Sequence, residues 1–280
     1  MRILNMKQTR ALDTYTIQHE PISSIDLMER ASRAFVDWFT LRVGSSKRVG
    51  VVCGTGNNGG DGLAIARMLH EWGYAVRVWI VPGNRRSDDF LINLGRLPSA
   101  VERQEVKDAD EILFDDRDVL VDALFGSGLS RHLTGLYAEV IDRLNSADAL
   151  RIAVDIPSGL KADGPSGGSI VRADYTVSFQ LPKLAFLLPS SFPFTGEWVI
   201  ADIGLSKNFI RESATPFFYT GLKRVQRMMK VRSKFDHKGT FGHALLIAGS
   251  FGKVGAAVLA SRAALRSGVG LLSVYVPRCG

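Results

Sequence analysis

The sequence predicts an α/β protein whose main body is an open, mainly parallel sheet with helices on both faces. Three observations carry that prediction. Short runs of nearly continuous apolar residues recur along the chain, segments of helical periodicity separate them, and glycine-containing turns follow several of the runs. In order, Ser23 with Asp26 has the spacing of a capping box, and Leu27, Ala31, Ala34, Phe35 and Trp38 recur at helical intervals, so a helix is expected over 24–41. "RVGVVCG" (48–54) is a short buried strand, "GGDGLAIARMLHEWG" (59–73) a helix ending near Gly73, and "AVRVWIV" (75–81) a second strand. Together they make a βαβ unit. Further strands are expected within 119–126, 151–159, 175–181 and 198–204, with a helix over 135–147 between the first two.

These elements place a first domain over 1–222, followed by a basic linker over 223–240. Residues 241–280 again read strand, glycine-rich turn, helix, strand. A unit that short does not bury a core of its own, so a second domain is expected to have begun and been cut short.

Hydrophobic residues make up 46% of the 280 residues and charged residues 22%, which supplies a core and argues against disorder. The formal charge of +7 is spread among acidic residues, and its densest group, Lys223, Arg224, Arg227, Lys230, Arg232, Lys234 and Lys238, reads as a solvated linker in preference to a nucleic-acid site or a site for a phosphate-bearing small ligand. No nucleic-acid partner is expected. Cys53 and Cys279 form no metal or redox motif, and no apolar run approaches eighteen residues. With neither a signal peptide nor a membrane span expected, the location expected is cytoplasmic.

Gly54, Gly56 and Gly59 have the G-x-G-x-x-G spacing of a dinucleotide-binding turn, yet two features oppose hydride-transfer chemistry. The following strand ends "WIVPGNRR", without the acid that binds ribose hydroxyls, and Asp61 is expected in the first helical turn, where a pyrophosphate would otherwise sit. Arg85 and Arg86 could meet a 2′-phosphate, although arginines after a strand are more often simply exposed. Asn57 and Asn58 instead offer amide donors and acceptors at the carboxyl end of a strand. Asp122 ends a second strand and precedes "GSG" and Arg131; Asp155 ends a third and precedes Pro157, Ser158 and Gly159. In an open parallel sheet such loops converge on one pocket rich in oxygen ligands and backbone amides. Taken singly, each aspartate also fits a cap or turn role.

The runs "GTGNNGGDGLAIARML", "VDALFGSGLSR" and "VDIPSGL", with "DLMERAS" ahead of them, resemble the motifs of NAD(P)H-hydrate epimerases over Met1 to about Leu205. "HKGTFGHALLIAGS" and "GAAVLASRAALRSGVGLLSV" resemble the opening of the ADP-dependent NAD(P)H-hydrate dehydratase, while that enzyme's later glycine-rich stretch with its catalytic aspartate is absent. The resemblance implies a Rossmann-like three-layer αβα sandwich followed by the first βαβ of a ribokinase-like domain. It implies as substrate NADH or NADPH hydrated at C6 of the nicotinamide ring (NADHX, NADPHX), whose R and S forms are interconverted. A potassium ion would be held by Asn58, Asp122 and Ser158. Substrate would meet Asn57, Asn58, Gly59, Gly60 and Asp61, the loop Gly126, Ser127, Gly128, Leu129, Ser130, Arg131 and His132, and Asp155. ADP or ATP would be used only by a complete dehydratase domain, and a homodimer is a further implication.

The hydrate is a hemiaminal, so the N1 lone pair can expel the C6 hydroxyl once a carboxylic acid protonates it, and water then returns on the other face. Opening and reclosing the ring at C6–N1 is a second path. Asp155 is the expected acid and then base, which requires a pKa raised toward neutrality by a partly desolvated pocket. Among bland readings, Lys183 is a solvated strand-end lysine, His132 a surface residue, and Cys53 a small buried residue rather than a nucleophile. The competing class is a nucleotide-binding module without catalysis; equal binding and no epimerisation in Asp155→Ala and the parent would favour it.

Overall fold

A computed structural model describes residues 1–114, 116–129 and 131–278, and the chain divides into two compact units, Met1–Thr220 and Gly221–Gly280. In the first unit α1 (Met6–His19) and α2 (Ser24–Thr40) precede β1 (Arg48–Cys53), α3 (Asn57–Glu71), β2 (Ala75–Ile80), α4 (Asp88–Arg96) and β3 (Glu102–Glu105). There follow β4 (Val119–Ala123), α5 (Leu136–Ser146), β5 (Leu150–Val154), β6 (Tyr175–Phe179), α6 (Phe192–Thr195), β7 (Glu197–Ala201) and α7 (Lys207–Glu212). The second unit holds α8 (Leu222–Met228), β8 (His243–Ile247), α9 (Gly255–Arg266) and β9 (Leu271–Tyr275).

The strands of the first unit form one sheet of seven in the order β3-β2-β1-β4-β5-β6-β7, and every neighbouring pair is parallel. Alternation along the strands divides the core into two layers. Val49, Val51, Val78, Val121 and Val154 pack with Phe35, Phe39, Leu63 and Met68 of α2 and α3. From the opposite face Val52, Trp79 and Leu120 pack with Val140, Ile141 and Leu144 of α5. Helices therefore cover both faces, as the near-continuous apolar strands require.

The start of α2 follows from its cap. The Ser23 hydroxyl accepts from the Asp26 N–H at 3.2 Å and donates to Asp26 Oδ2 at 2.6 Å. Two elements lack the patterns that reveal the others. β3 is the polar edge strand "ERQE", held beside β2 in part by an Arg77–Glu102 ion pair. Helix α1 fully buries only Leu12 and Thr16, so no apolar stripe marks it; Asn5 and Gln8 supply a complete capping box instead.

In the second unit β8 and β9 pair in parallel, with α9 as the connection. α8 gives helical structure to the start of the stretch read as linker. No helix among the described residues is long and apolar enough to cross a membrane.

Candidate active site

Because all strands of the sheet run the same way, the segments that leave β1, β4 and β5 emerge side by side, with Cys53 opposite Ala123 and Asp122 opposite Ala153. The glycine loop differs from its expected form. Gly56 is the N-cap, Gly60 N–H bonds to its carbonyl at 3.0 Å, and the helix is under way from Asn57. Asn57 and Asn58 therefore occupy the first helical turn, and Asp61 sits in the second, a correction to the expectation that Asp61 would lie in the first. The physical reason is close packing. A Cβ on Gly59 would come within 1.8 Å of the Gly54 carbonyl oxygen, and one on Gly54 within 2.1 Å of the Leu124 oxygen. Those glycines let helix, loop and the β4 exit touch backbone to backbone.

Asp122 is 1% exposed and ties two loops together. Its Oδ2 accepts from the Ser158 N–H at 2.7 Å, and its Oδ1 accepts from the Ser158 hydroxyl at 2.6 Å and from the Leu124 N–H at 3.2 Å. Ser158 Oγ in turn accepts from the Phe125 N–H at 2.9 Å, with the Phe125 carbonyl oxygen 3.2 Å away. Burial pushes the Asp122 carboxyl up to about 6 although these hydrogen bonds pull it down. Asn58 is also buried, and its Nδ2 has no hydrogen-bond partner among the described residues.

Asp155 follows β5 with φ of +67°, a left-handed conformation that aspartate tolerates better than most side chains. Its Oδ1 lies 2.7 Å from Lys183 Nζ and accepts from the Phe179 N–H at 3.2 Å. Lys183 is 4% exposed, with the Phe179 and Leu181 carbonyls each 3.4 Å from its ammonium. The solvated lysine expected from the sequence is thus a buried partner of Asp155. Burial works to raise the Asp155 carboxyl, but the Lys183 charge and hydrogen bond, the Phe179 N–H and Ser127 together hold it below the usual value. That is opposite to the raised pKa the acid role calls for. A buried ammonium at bonding distance outweighs desolvation.

Above these groups opens a cavity of about 890 Å³. Asn57, Asn58, Asp61, Gly126, Ser127, Gly128, Leu129, Arg131, His132 and Asp155 line it. Gly59, Gly60, Asp122 and Ser158 are buried and are not part of its lining. Ser130 falls outside the described residues, as does Cys279. Exposed His132 meets the Gly167 carbonyl oxygen at 2.6 Å through Nδ1, and Tyr137 stacks edge-on against Phe125 at 4.6 Å. Cys53 is fully buried, and burial, then the charges of Asp122 and Asp61, push its thiol up and away from thiolate chemistry.

Two further residues of the lining were missed or undervalued by sequence reasoning: Lys183, and Asp13 of α1. Burial pushes Asp13 up to about 6, helped by the Asp155 charge and opposed by Lys183. Asp61 is raised well above the ordinary range by burial, then by the charges of Asp155, Asp89 and Asp13, against a hydrogen bond from Ser32. Asp13 follows no strand and belongs to no glycine motif. The Asn5–Gln8 cap was the one signal in the sequence that could have placed its helix.

Residues 24–185 match the family model described as YjeF-related protein N-terminus. The bifunctional NAD(P)H-hydrate repair enzyme of Coxiella burnetii is 34% identical over 269 residues, covering 96% of this chain and 55% of that protein. The NAD(P)H-hydrate epimerase of Limosilactobacillus fermentum is 37% identical over 202 residues, 70% of this chain and 93% of that protein. The chain thus spans about half the length of the bifunctional relatives and nearly all of the shorter one. Yeast ynu0 shares the fold, with a TM-score of 0.64 at 20% identity over 80% of this chain and 98% of its own. The matched stretch contains α2, the glycine loop, the Asp122–Ser158 tie and the Asp155–Lys183 pair, and on that ground the chain belongs to the YjeF-related N-terminal family.

Proposed function

We propose that the first unit interconverts the R and S forms of hydrated NADH and NADPH. The observation that carries this reading is the lining of one cavity by an ionised, lysine-paired Asp155 together with Asp61, a carboxyl that burial raises well above the ordinary range. Such a site moves protons on and off a hydroxyl without a redox partner. It joins the motifs this chain shares with relatives that are named epimerases.

In the dehydration path the N1 lone pair forms a C6=N1 double bond as the hydroxyl leaves. The Asp155 carboxylate stabilises the cationic ring, accepts a proton from the water that adds on its face, and returns that proton in the reverse direction. Asp61, kept neutral, donates a hydrogen bond to the bound substrate, as a carboxylic acid in a desolvated site can. Asn57 and the loop residues Gly126, Ser127, Gly128, Leu129, Arg131 and His132 enclose the nucleotide. Gly59 and Gly60 act from behind the wall by allowing α3 to approach.

A potassium ion fits three residues at the cavity, of which Asn58 lines it and Asp122 and Ser158 are buried. Asn58, Asp122 and Ser158 offer oxygen only, the donor set of a hard cation, and Asp122 is a buried carboxyl that a positive charge would relieve of its desolvation penalty. Among the described residues no three His, Cys, Asp or Glu side chains form a metal group, so the reading rests on amide and hydroxyl oxygens beside one carboxylate. When bound, the ion would supply fixed positive charge next to the substrate. Residues 241–280 are read as the opening of an ADP- or ATP-using dehydratase domain, with 223–240 leading into it. A cytoplasmic homodimer without nucleic-acid partners completes the reading.

The test is the rate of R-to-S conversion, with a separate S-specific dehydratase reporting product, with and without potassium. Acceleration that Asp155→Ala abolishes is expected. A rate equal to the spontaneous one in the parent would refute the reading and favour a binding module.

A further inference from the structure

Interconverting two epimers at C6 takes a proton donor on one face of the ring and a proton acceptor on the other. A single fixed carboxyl serves one face. Asp61 and Asp155 both line the cavity, one carried by α3 and one following the end of β5, elements of the sheet and the helix layer packed on it. Asp13 reaches the same cavity from α1, which is not part of the sheet layers and packs through Leu12 with Leu27, Ala31, Leu181, Ile203 and Leu205. We propose that Asp13 is the second acid–base group of the site and serves the ring face opposite Asp155. This rests on the epimerase reading and on its dehydration path.

The half-buried Asp13 carboxyl has no hydrogen-bond partner among the described residues, unlike Asp155, which is held by Lys183 and the Phe179 N–H. Its proton is free for a ligand. The other charged groups lining the same cavity are Asp155, Lys183, Asp61, Asp89, Arg10, Arg85 and Arg131, with His132 and Tyr137 as further titratable side chains. Burial and the Asp155 charge, against Lys183, bring Asp13 to about 6, close to the working pH, where a proton-transfer group is most effective.

The step balances without oxidant or reductant. Asp13 gives its proton to the C6 hydroxyl, the C6–O electrons leave with water, and the N1 lone pair forms the C6=N1 bond. Water then adds to C6 from the other side, its proton passes to the Asp155 carboxylate, and the C=N electrons return to N1. Solvent in the open cavity carries the proton from Asp155 back to Asp13. For hydroxyls on the Asp155 face the reverse sequence applies.

The experiment compares the parent, Asp13→Asn and Asp13→Glu in epimerisation and in uptake of oxygen from ¹⁸O-water into each epimer, spontaneous exchange subtracted. Asp13→Asn is expected to lower kcat on the order of 100-fold with little change in KM and to lose the inflection near pH 6, while Asp13→Glu recovers part of the rate. Label should still enter the epimer whose hydroxyl faces Asp155, with its configuration retained, a signature that loss of packing would not produce. If the parent accelerates epimerisation and Asp13→Asn matches it in rate and pH profile, the inference is overturned alone. Loss of labelling in both epimers together with lowered thermal stability would also overturn it, marking Asp13 as structural. A parent with no acceleration overturns the epimerase reading first.

Discussion

Replacing Lys183 by methionine isolates the pair at the centre of the site. The ammonium lies 2.7 Å from Asp155 Oδ1, and the two residues are 4% and 8% exposed. Methionine keeps most of the volume and removes the charge, leaving the carboxylate with the Phe179 N–H at 3.2 Å and Ser127. Taking one partner from a buried pair costs about 3–5 kcal/mol while the other stays ionised. Protonation is the carboxyl's escape, so the cost depends on pH. In the parent the Asp155 pKa is depressed, and its contribution is present above the unfolded value of roughly 3.9 and lost on acidification. In Lys183→Met burial is opposed only by the Phe179 N–H and Ser127, and the pKa rises. The contribution is then present below that unfolded value and lost as pH climbs through the new folded one. Urea unfolding at a series of pH values should show a small difference between variant and parent near pH 4, growing to about 3–5 kcal/mol by pH 8. Adding Asp155→Asn should recover most of the loss at pH 8. A difference that stays constant with pH, or a double variant no better than the single one, would refute the reasoning.

Three further outcomes are expected. Potassium, compared with choline at equal ionic strength, should raise the melting temperature by an amount that grows as pH rises through about 6. Asp122 there passes from a proton-stabilised buried acid, whose contribution is fully present below roughly 3.9, to a buried carboxylate that needs a cation; equal shifts at pH 5 and pH 8 would count against the site. Gly59→Ala must move α3 away from the Gly54 carbonyl, which lies 1.8 Å from the new Cβ, so a loss of about 1–3 kcal/mol or more and of activity should appear in unfolding and rate measurements. Asp155→Asn should abolish turnover while keeping substrate affinity within a few-fold, as read by titration calorimetry.

The sheet was legible because its strands are buried on both faces. Val49, Val51 and Val52, or Val119, Leu120 and Val121, contain no polar position that a solvated face would require, and a run of that kind reads as a central parallel strand. The same logic hid β3, whose residues are mostly exposed at the sheet edge, and α1, which fully buries only two side chains. Periodicity reports burial, so elements that bury little leave little periodicity. The missed helix is the one that carries Asp13 into the cavity.

Motif reasoning found groups fixed by backbone and was weaker for groups fixed by charge. Asp122 and Asp155 announce themselves because an aspartate at a strand end followed by glycine or proline has a local explanation to be tested. Lys183 has none: "QLPKLAF" puts a lysine near a strand end, and only the fold brings its ammonium to Asp155, whose residue number is 28 lower. That long-range contact reverses the chemistry assigned to Asp155. An isolated buried aspartate would be a proton donor at neutral pH, whereas the lysine makes it an anion and leaves the donor role to carboxyls without a cation at bonding distance. Asp61 and Asp13 are such carboxyls, and the negative charge of Asp155 is among the causes that raise both, Asp61 well above the ordinary range and Asp13 to about 6. One ion pair therefore sets opposite protonation states within a single cavity, the division of labour that moving a hydroxyl between two faces demands.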